Sequence, residues 1–220
     1  MTERPLTLFH CPNTRSSGVL ALMEELSAPY TLHVLDRGKG ENRAPAYLAI
    51  NPLGKVPALQ DGSAIVTEQV AIFLHLADLF PAAGLAPATT DQLRGPYLRW
   101  MAFYAASFEP ALVDKFRNVE PGVRAMSPYG SYDEVIDIVT KGLEPGPYLL
   151  GSTFSAADIL WGGALSWTTA FKLVPEHPAI MDYVARITAR PAMQRATAKD
   201  QALAQAQAEA QAEAGAAPQT

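Results

Sequence analysis

A single cysteine, Cys11, is the only thiol in this 220-residue chain. A lone thiol closes no internal disulfide and cannot build a structural zinc site by itself. The four histidines (His10, His33, His75 and His177) are scattered without metal-ligand spacing, so no metal is expected. Basic clusters are missing as well: 17 Lys and Arg stand against 22 Asp and Glu, a formal net charge of −5. A nucleic-acid binder would carry a basic face, so no nucleic-acid partner is expected. No apolar run reaches the roughly 20 residues that a bilayer-spanning helix needs, which argues against a membrane partner. Residues 1–5 lack the apolar stretch of a signal peptide, and a cytoplasmic location is the expectation that follows.

Apolar residues nevertheless make up 49% of the chain, enough for a sizeable core. Leu6-Thr7-Leu8-Phe9-His10 reads as a strand, and Tyr30-Thr31-Leu32-His33-Val34-Leu35 reads as a second. Between them Val19, Leu20, Met23 and Leu26 recur at helical spacing, which makes a βαβ unit with parallel strands. A short helix over 44–50 stops at Asn51-Pro52. Asp61-Gly62 then separates the apolar runs 56–60 and 63–66, a strong short-range hairpin signal. A helix over 68–80 follows, with Val70, Ile72, Phe73, Leu76 and Leu79 inward and Pro81 ending it. The order βαβαββα is that of a thioredoxin-like α/β domain, expected over residues 1–80. Residues 81–90 are rich in Pro, Ala, Gly and Thr and read as a linker. Helical periods near 91–113, 132–143, 156–171, 178–189 and 191–199 give an all-α helical bundle domain over 91–200. Residues 201–220 form a low-complexity Ala/Gln tail of high helix propensity with no apolar stripe. It is expected to be a frayed or extended terminal helix without chemistry of its own.

Three local features bear on function, and each has a plain structural reading beside the chemical one. In Gly54-Lys55-Val56-Pro57-Ala58-Leu59 the proline is either an ordinary turn residue or the site of a cis bond. In the second case Val56 turns its N–H and C=O outward, where an extended peptide can pair with them. At Thr67-Glu68-Gln69 a helix start attracts a carboxylate while Glu68 holds an amino group; otherwise Thr67 is a cap and Glu68 complements the dipole. In Cys11-Pro12-Asn13-Thr14-Arg15-Ser16-Ser17 a thiol or hydroxyl at a helix N-terminus sits where a thiolate is stabilised. The plain reading makes Asn13 or Thr14 the N-cap and Cys11 a small apolar filler.

Together these segments resemble the glutathione site of the glutathione transferase family. The run 51–59, Asn51-Pro52-Leu53-Gly54-Lys55-Val56-Pro57-Ala58-Leu59, is similar to the family's helix-to-cis-proline segment. Thr67-Glu68-Gln69-Val70-Ala71-Ile72 is similar to its Glu-Ser-x-Ala-Ile segment. Tyr148-Leu149-Leu150-Gly151 and Phe154-Ser155-Ala156-Ala157-Asp158-Ile159 continue the likeness into the helical half. Ser155 with Asp158 also reads locally as a capping box.

The resemblance implies a bacterial cytosolic enzyme that takes glutathione as co-substrate and activates its thiol for attack on a small electrophile. It implies that Val56, before Pro57, pairs with the cysteinyl part of glutathione. It implies further that Lys55 lies near the glycyl end or peptide backbone, and that Glu68 and Gln69 hold the γ-glutamyl end. Gln69 stands where the family has serine. Tyrosine-type members carry tyrosine where this chain has Phe9, so the resemblance points to serine- or cysteine-type activation from the first loop. Cys11, Asn13, Thr14, Arg15 and Ser16 are all candidates, with Thr14 or Asn13 preferred. Trp100, Phe103, Tyr104 and Phe108 form an aromatic stripe that is either core or, with Phe9, the wall of an electrophile pocket between the halves. A homodimer is implied. Two other functions remain open: a glutathione-dependent thiol reductase using Cys11, and a non-catalytic binding protein of the same fold.

Overall fold

The computed structural model describes residues 5–120 and 122–216. They form two compact units: the first joins the chain up to Leu76 with the segment from Pro191, and the second is Ala77–Arg190. This grouping gives the first unit residues that the sequence reading had counted with the helical half and its tail.

From its start the chain runs β1 (Leu6–His10), α1 (Ser16–Leu26), β2 (Thr31–Val34), α2 (Pro45–Leu48), β3 (Ala58–Asp61), β4 (Ala64–Thr67) and α3 (Gln69–Leu79), whose last three residues belong to the second unit; this is the expected thioredoxin-like order. Its sheet has the order β2-β1-β3-β4. β1 is parallel to β2, with Phe9 opposite His33, and antiparallel to β3, with Phe9 opposite Ala58. The β3–β4 turn is Gly62-Ser63, since Asp61 pairs with Ala64, one residue later than Asp61-Gly62 suggested. Gly62 at φ +60 supplies the left-handed backbone that a two-residue hairpin requires. α1 buries Val19, Leu20, Met23 and Leu26, and ends where Ser27 turns left-handed and the Ser27 and Ala28 N–H groups close onto the Glu24 and Met23 carbonyls.

The second unit is helical: α4 (Arg94–Phe103), a π-helical turn over Tyr104–Phe108, α5 (Glu109–Arg117), α6 (Tyr132–Leu143), α7 (Ala156–Ala170) and α8 (Pro178–Thr188). The single helix expected over 91–113 is therefore three segments. Pro110 has no N–H to give the preceding turn, and the π turn lies directly ahead of it. Trp161, fully buried, has the rings of Trp100, Phe103, Tyr104 and Phe108 around it at centroid distances of 5.5, 6.1, 5.4 and 4.7 Å. Its Nε1–H donates to the Trp100 carbonyl at 3.1 Å. The aromatic stripe is thus core. Phe108 has no exposed surface and Tyr104 has 2%, its hydroxyl bound to Glu109 at 2.6 Å, so the pocket wall expected from them is corrected. Phe103 alone of the stripe's expected pocket residues stays half-buried, its ring under the Arg99 guanidinium. Gly162 lets α8 close onto α7: a Cβ there would meet the Ile187 side chain at 2.5 Å.

The last helix, α9 (Pro191–Ala216), returns to the first unit and packs along α1. It is one continuous helix from Pro191 to Ala216, so the helix expected over 191–199 and the terminal helix expected beyond residue 200 are a single element. Ala192, Met193, Ala196 and Asp200 are buried on one face, and Leu203, Ala204 and Gln207 continue that face half-buried. Small and polar residues make this stripe, which is why no apolar period marked it. Arg195 and Lys199 hold Glu24 at 3.2 and 2.7 Å, and Lys199 reaches the Tyr30 hydroxyl at 2.9 Å. Gln207 donates to the Leu35 carbonyl and Gln211 to Asp36 Oδ1. Residues 217–220 of the expected tail lie outside the described residues. Among the described residues no helix is long and apolar enough to cross a membrane, and no three His, Cys, Asp or Glu side chains gather as a metal site.

Candidate functional site

Strand register brings the three sequence features to one edge of the sheet. β1 is parallel to β2 and antiparallel to β3, so the end of β1 at His10 lies beside the start of β3 at Ala58. Ala58 in turn pairs with Thr67, the last residue of β4. Loop 11–17, the Val56-Pro57 segment and the start of α3 therefore meet at that edge. The N-termini of α1 and α3 lie there too, and their partial positive charge favours an anion. Gln69 ties two of these segments together, its Nε2 donating to the Arg15 carbonyl at 2.9 Å.

The Val56–Pro57 peptide is cis. No hydrogen bond among the described residues uses the Val56 N–H or C=O, so both are open to a ligand backbone. The preceding residue is held from below. The Lys55 carbonyl accepts from the Tyr47 hydroxyl at 2.6 Å and from Asn51 Nδ2 at 2.8 Å. Burial pushes the Tyr47 phenol up to about 12, so it stays a donor throughout the physiological range. Neither Tyr47 nor Asn51 stood out as a site residue in the sequence, because their partner is a backbone atom.

Glu68 is exposed and has φ +67, in the left-handed region. A non-glycine residue there costs about 1 kcal/mol or more, and such outliers gather at ligand sites. Its carbonyl still accepts from Ile72, so it forms the first turn of α3 while its side chain stays clear. Gln69 is half-buried, and its amide donates to the Arg15 carbonyl.

Loop 11–17 sorts its candidates clearly. Cys11 is 1% exposed, packed with Phe9, Leu35, Tyr47 and Ala58, and burial pushes its thiol up to about 11. A thiol so raised is protonated at neutral pH and is a poor nucleophile. Phe9 belongs to the same cluster at 5% exposed, so it is core and not pocket wall. Ser16 is fully buried, with its Oγ 2.8 Å from His10 Nδ1 and accepting the Cys11 N–H at 3.1 Å. The Thr14 hydroxyl is turned inward, 2.7 Å from the Cys11 carbonyl and 2.7 Å from Ser16 Oγ, and it accepts the Ser16 N–H. Its one proton is engaged within the loop. Asn13 and Arg15 are the exposed members: Asn13 is in left-handed backbone at φ +56 and no hydrogen bond among the described residues uses its carboxamide, whereas Arg15 is engaged elsewhere.

Behind the loop stands a residue that sequence reading missed. Asp200 of α9 accepts the Asn13 N–H at 3.0 Å and the Ser17 hydroxyl at 2.8 Å. His10 Nε2 lies 3.0 Å from its Oδ1, off the line of a well-formed N–H···O bond. Burial alone would raise this carboxyl, but His10, the Asn13 amide and the Ser17 hydroxyl outweigh it and hold the pKa below the ordinary 3.8. A depressed carboxyl contributes stability above its unfolded pKa and loses it as pH falls through the folded value. Acid should therefore weaken the hold of α9 on the loop below about pH 4, and Asp200→Asn should flatten that limb of an acid-unfolding curve. An acid limb identical in the two proteins would show that the contact contributes nothing.

Residues 4–78 match the glutathione S-transferase N-terminal domain, and residues 130–191 match the C-terminal domain. The chain is 28% identical over 209 residues to disulfide-bond oxidoreductase YfcG of Escherichia coli, covering 89% of this chain and 96% of that protein. It is 30% identical over 173 residues to glutathione S-transferase 3 of Schizosaccharomyces pombe, covering 70% of each. A solved structure of a glutathione transferase homolog from Sulfitobacter, with bound glutathione, superposes at a TM-score of 0.73 with 30% identity over 90% of this chain and 98% of that one. Two domain models in their order, matched across both units, and relatives aligned over most of their length establish that the chain belongs to the glutathione S-transferase family.

Proposed function

We propose that this chain is a glutathione transferase that ionises the glutathione thiol beside loop 11–17 and directs it at a small electrophile. The observation that carries this is Glu68, held in left-handed backbone with its carboxylate exposed at the edge where the open Val56 backbone and the two helix N-termini meet. In this reading Val56 pairs with the cysteinyl backbone and Glu68 takes the γ-glutamyl ammonium. Lys55 faces the glycyl end, and Gln69 keeps the loop closed on the ligand. The Asn13 carboxamide donates to the sulfur, because Thr14 and Ser16 are engaged with each other, Cys11 is buried and Arg15 is engaged elsewhere. The activation is therefore of neither the tyrosine nor the cysteine type. A hydrogen bond to the thiolate together with a helix N-terminus supplies about 1–3 kcal/mol, enough to lower a thiol pKa by one to two units. The protein works as a homodimer in this reading, as its family resemblance implies.

Calorimetric titration of the purified protein with glutathione tests the proposal. Saturable binding is expected, and none up to millimolar ligand would end it. Asn13→Ala should then lower turnover of glutathione with chlorodinitrobenzene by about tenfold while leaving the glutathione Kd within about threefold. Cys11→Ser should change neither by more than about twofold, since a buried, protonated thiol contributes no nucleophile. Loss of activity in Cys11→Ser alone would restore the cysteine as the reacting group.

A second reaction has support in the E. coli relative, whose name is that of a disulfide-bond oxidoreductase. The same glutathione thiolate can attack a disulfide, forming a mixed disulfide and releasing a thiolate. A second glutathione then resolves the mixed disulfide to oxidised glutathione. Comparing rates with chlorodinitrobenzene and with hydroxyethyl disulfide decides between the two reactions.

A further inference from the structure

α9 carries one buried carboxylate, Asp200, 7% exposed, on a face it shares with Ala192, Met193 and Ala196. A carboxylate so placed is costly unless its oxygens are satisfied, and both are satisfied from the active-site loop, by Asn13 and Ser17. The helix has other anchors. Arg195 and Lys199 hold Glu24, and Gln207 and Gln211 hold the segment after β2. What Asp200 adds is a fixed direction for Asn13. With its N–H committed to Asp200, Asn13 rests in left-handed backbone, which asparagine tolerates better than most residues. Its carboxamide is left exposed and unengaged. His10 lies between Asp200 and Ser16, so the same carboxylate also backs the buried Ser16–Thr14 pair that shapes the rest of the loop.

We propose that Asp200 is a positioning residue for thiol activation, holding the Asn13 backbone so that the carboxamide meets the glutathione sulfur. The inference rests on the glutathione reading given above. A group displaced by about 1 Å can cost as much as a hundredfold in rate, so a single hydrogen bond on the Asn13 amide has leverage over the chemistry. Glutathione affinity is set elsewhere, at Val56 and Glu68.

The test is the ionisation of bound glutathione, followed by thiolate absorbance against pH, with turnover of chlorodinitrobenzene and calorimetric Kd measured on the same proteins. Asp200→Ala is expected to raise the pH of thiol ionisation by about one unit and to lower kcat about tenfold, with Kd within about threefold. Its Asn13 amide should also exchange faster with solvent. Asp200→Asn keeps one acceptor oxygen and should recover part of the loss; it serves as the readout if the alanine variant does not fold. Lys199→Ala loosens α9 at Glu24 and Tyr30 without touching the loop, and should leave thiol ionisation unchanged. Unaltered ionisation and kcat in Asp200→Ala, or an equal effect of Lys199→Ala, would overturn the positioning role while wild-type binding still upheld the transferase reading. A wild-type protein that fails to bind glutathione would overturn that reading first, and this one with it.

Discussion

Asp158→Ala is expected to lower the melting temperature of the second unit by more than about 10 °C. Asp158 is fully buried at the start of α7 and accepts four hydrogen bonds. Oδ1 takes the Leu149 N–H at 2.9 Å and the Tyr183 hydroxyl at 2.9 Å; Oδ2 takes the Ser155 N–H at 2.8 Å and the Ser155 hydroxyl at 3.0 Å. One side chain thus caps α7, closes the 148–154 turn onto it and fixes Tyr183 of α8. Burial raises the Asp158 carboxyl above its ordinary value even though all four donors favour the anion, a sign of how dry the site is. Truncation to alanine strands those donors without water, at about 1–3 kcal/mol each. The sum is a large part of the roughly 5–15 kcal/mol by which a domain is stable. All three tryptophans of the chain, Trp100, Trp161 and Trp167, lie in this unit, so intrinsic fluorescence reads its unfolding directly. Asp158→Asn, which keeps the volume and one acceptor oxygen, should lose less. An alanine variant melting within about 3 °C of wild type would mean that the four bonds carry no net stability.

Glu68→Ala should weaken glutathione binding by about tenfold to a hundredfold with little change in melting temperature. The magnitude is that of one charge-assisted hydrogen bond, about 1.5–3 kcal/mol. Stability is spared because the Glu68 side chain is exposed and alanine meets the same left-handed backbone that glutamate does. Calorimetric titration alongside a thermal melt separates the two quantities. Equal affinity in both proteins would remove Glu68 from the site. A parallel fall in melting temperature would reassign it to the architecture of the α3 start.

The parts of the molecule that could be read from the sequence are those whose causes are local. A capping pair three residues apart, an apolar helix period between two short strands, and a proline ahead of a hairpin each announce themselves within ten residues. That is why β1 through α3 and the Ser155–Asp158 pair were legible. At Ser155 the expected capping box forms, with Asp158 accepting the Ser155 N–H at 2.8 Å. The roles within loop 11–17 were not legible, because five candidates within six residues are told apart only by which way they face. Burial separates them in part: Cys11 and Ser16 are inside, while Asn13 and Arg15 are outside. Asp200 was the least legible of all. It lies 187 residues from Asn13, at the border between the expected helical domain and the Ala/Gln tail. Close helix packing through small side chains, with glutamine amides reaching backbone acceptors, leaves no hydrophobic signature.

The first unit is built from the two flanks of the second, and that arrangement sets a schedule for the newly made chain. At about 5–20 residues per second, a ribosome that has made Asn13 needs on the order of ten to forty seconds to reach Asp200. Within that interval the rest of the sheet and then the whole of the second unit are synthesised, so both precede α9. Chains released after truncation before residue 191 should therefore contain the tryptophan core of the second unit but a loop 11–17 that lacks Asp200.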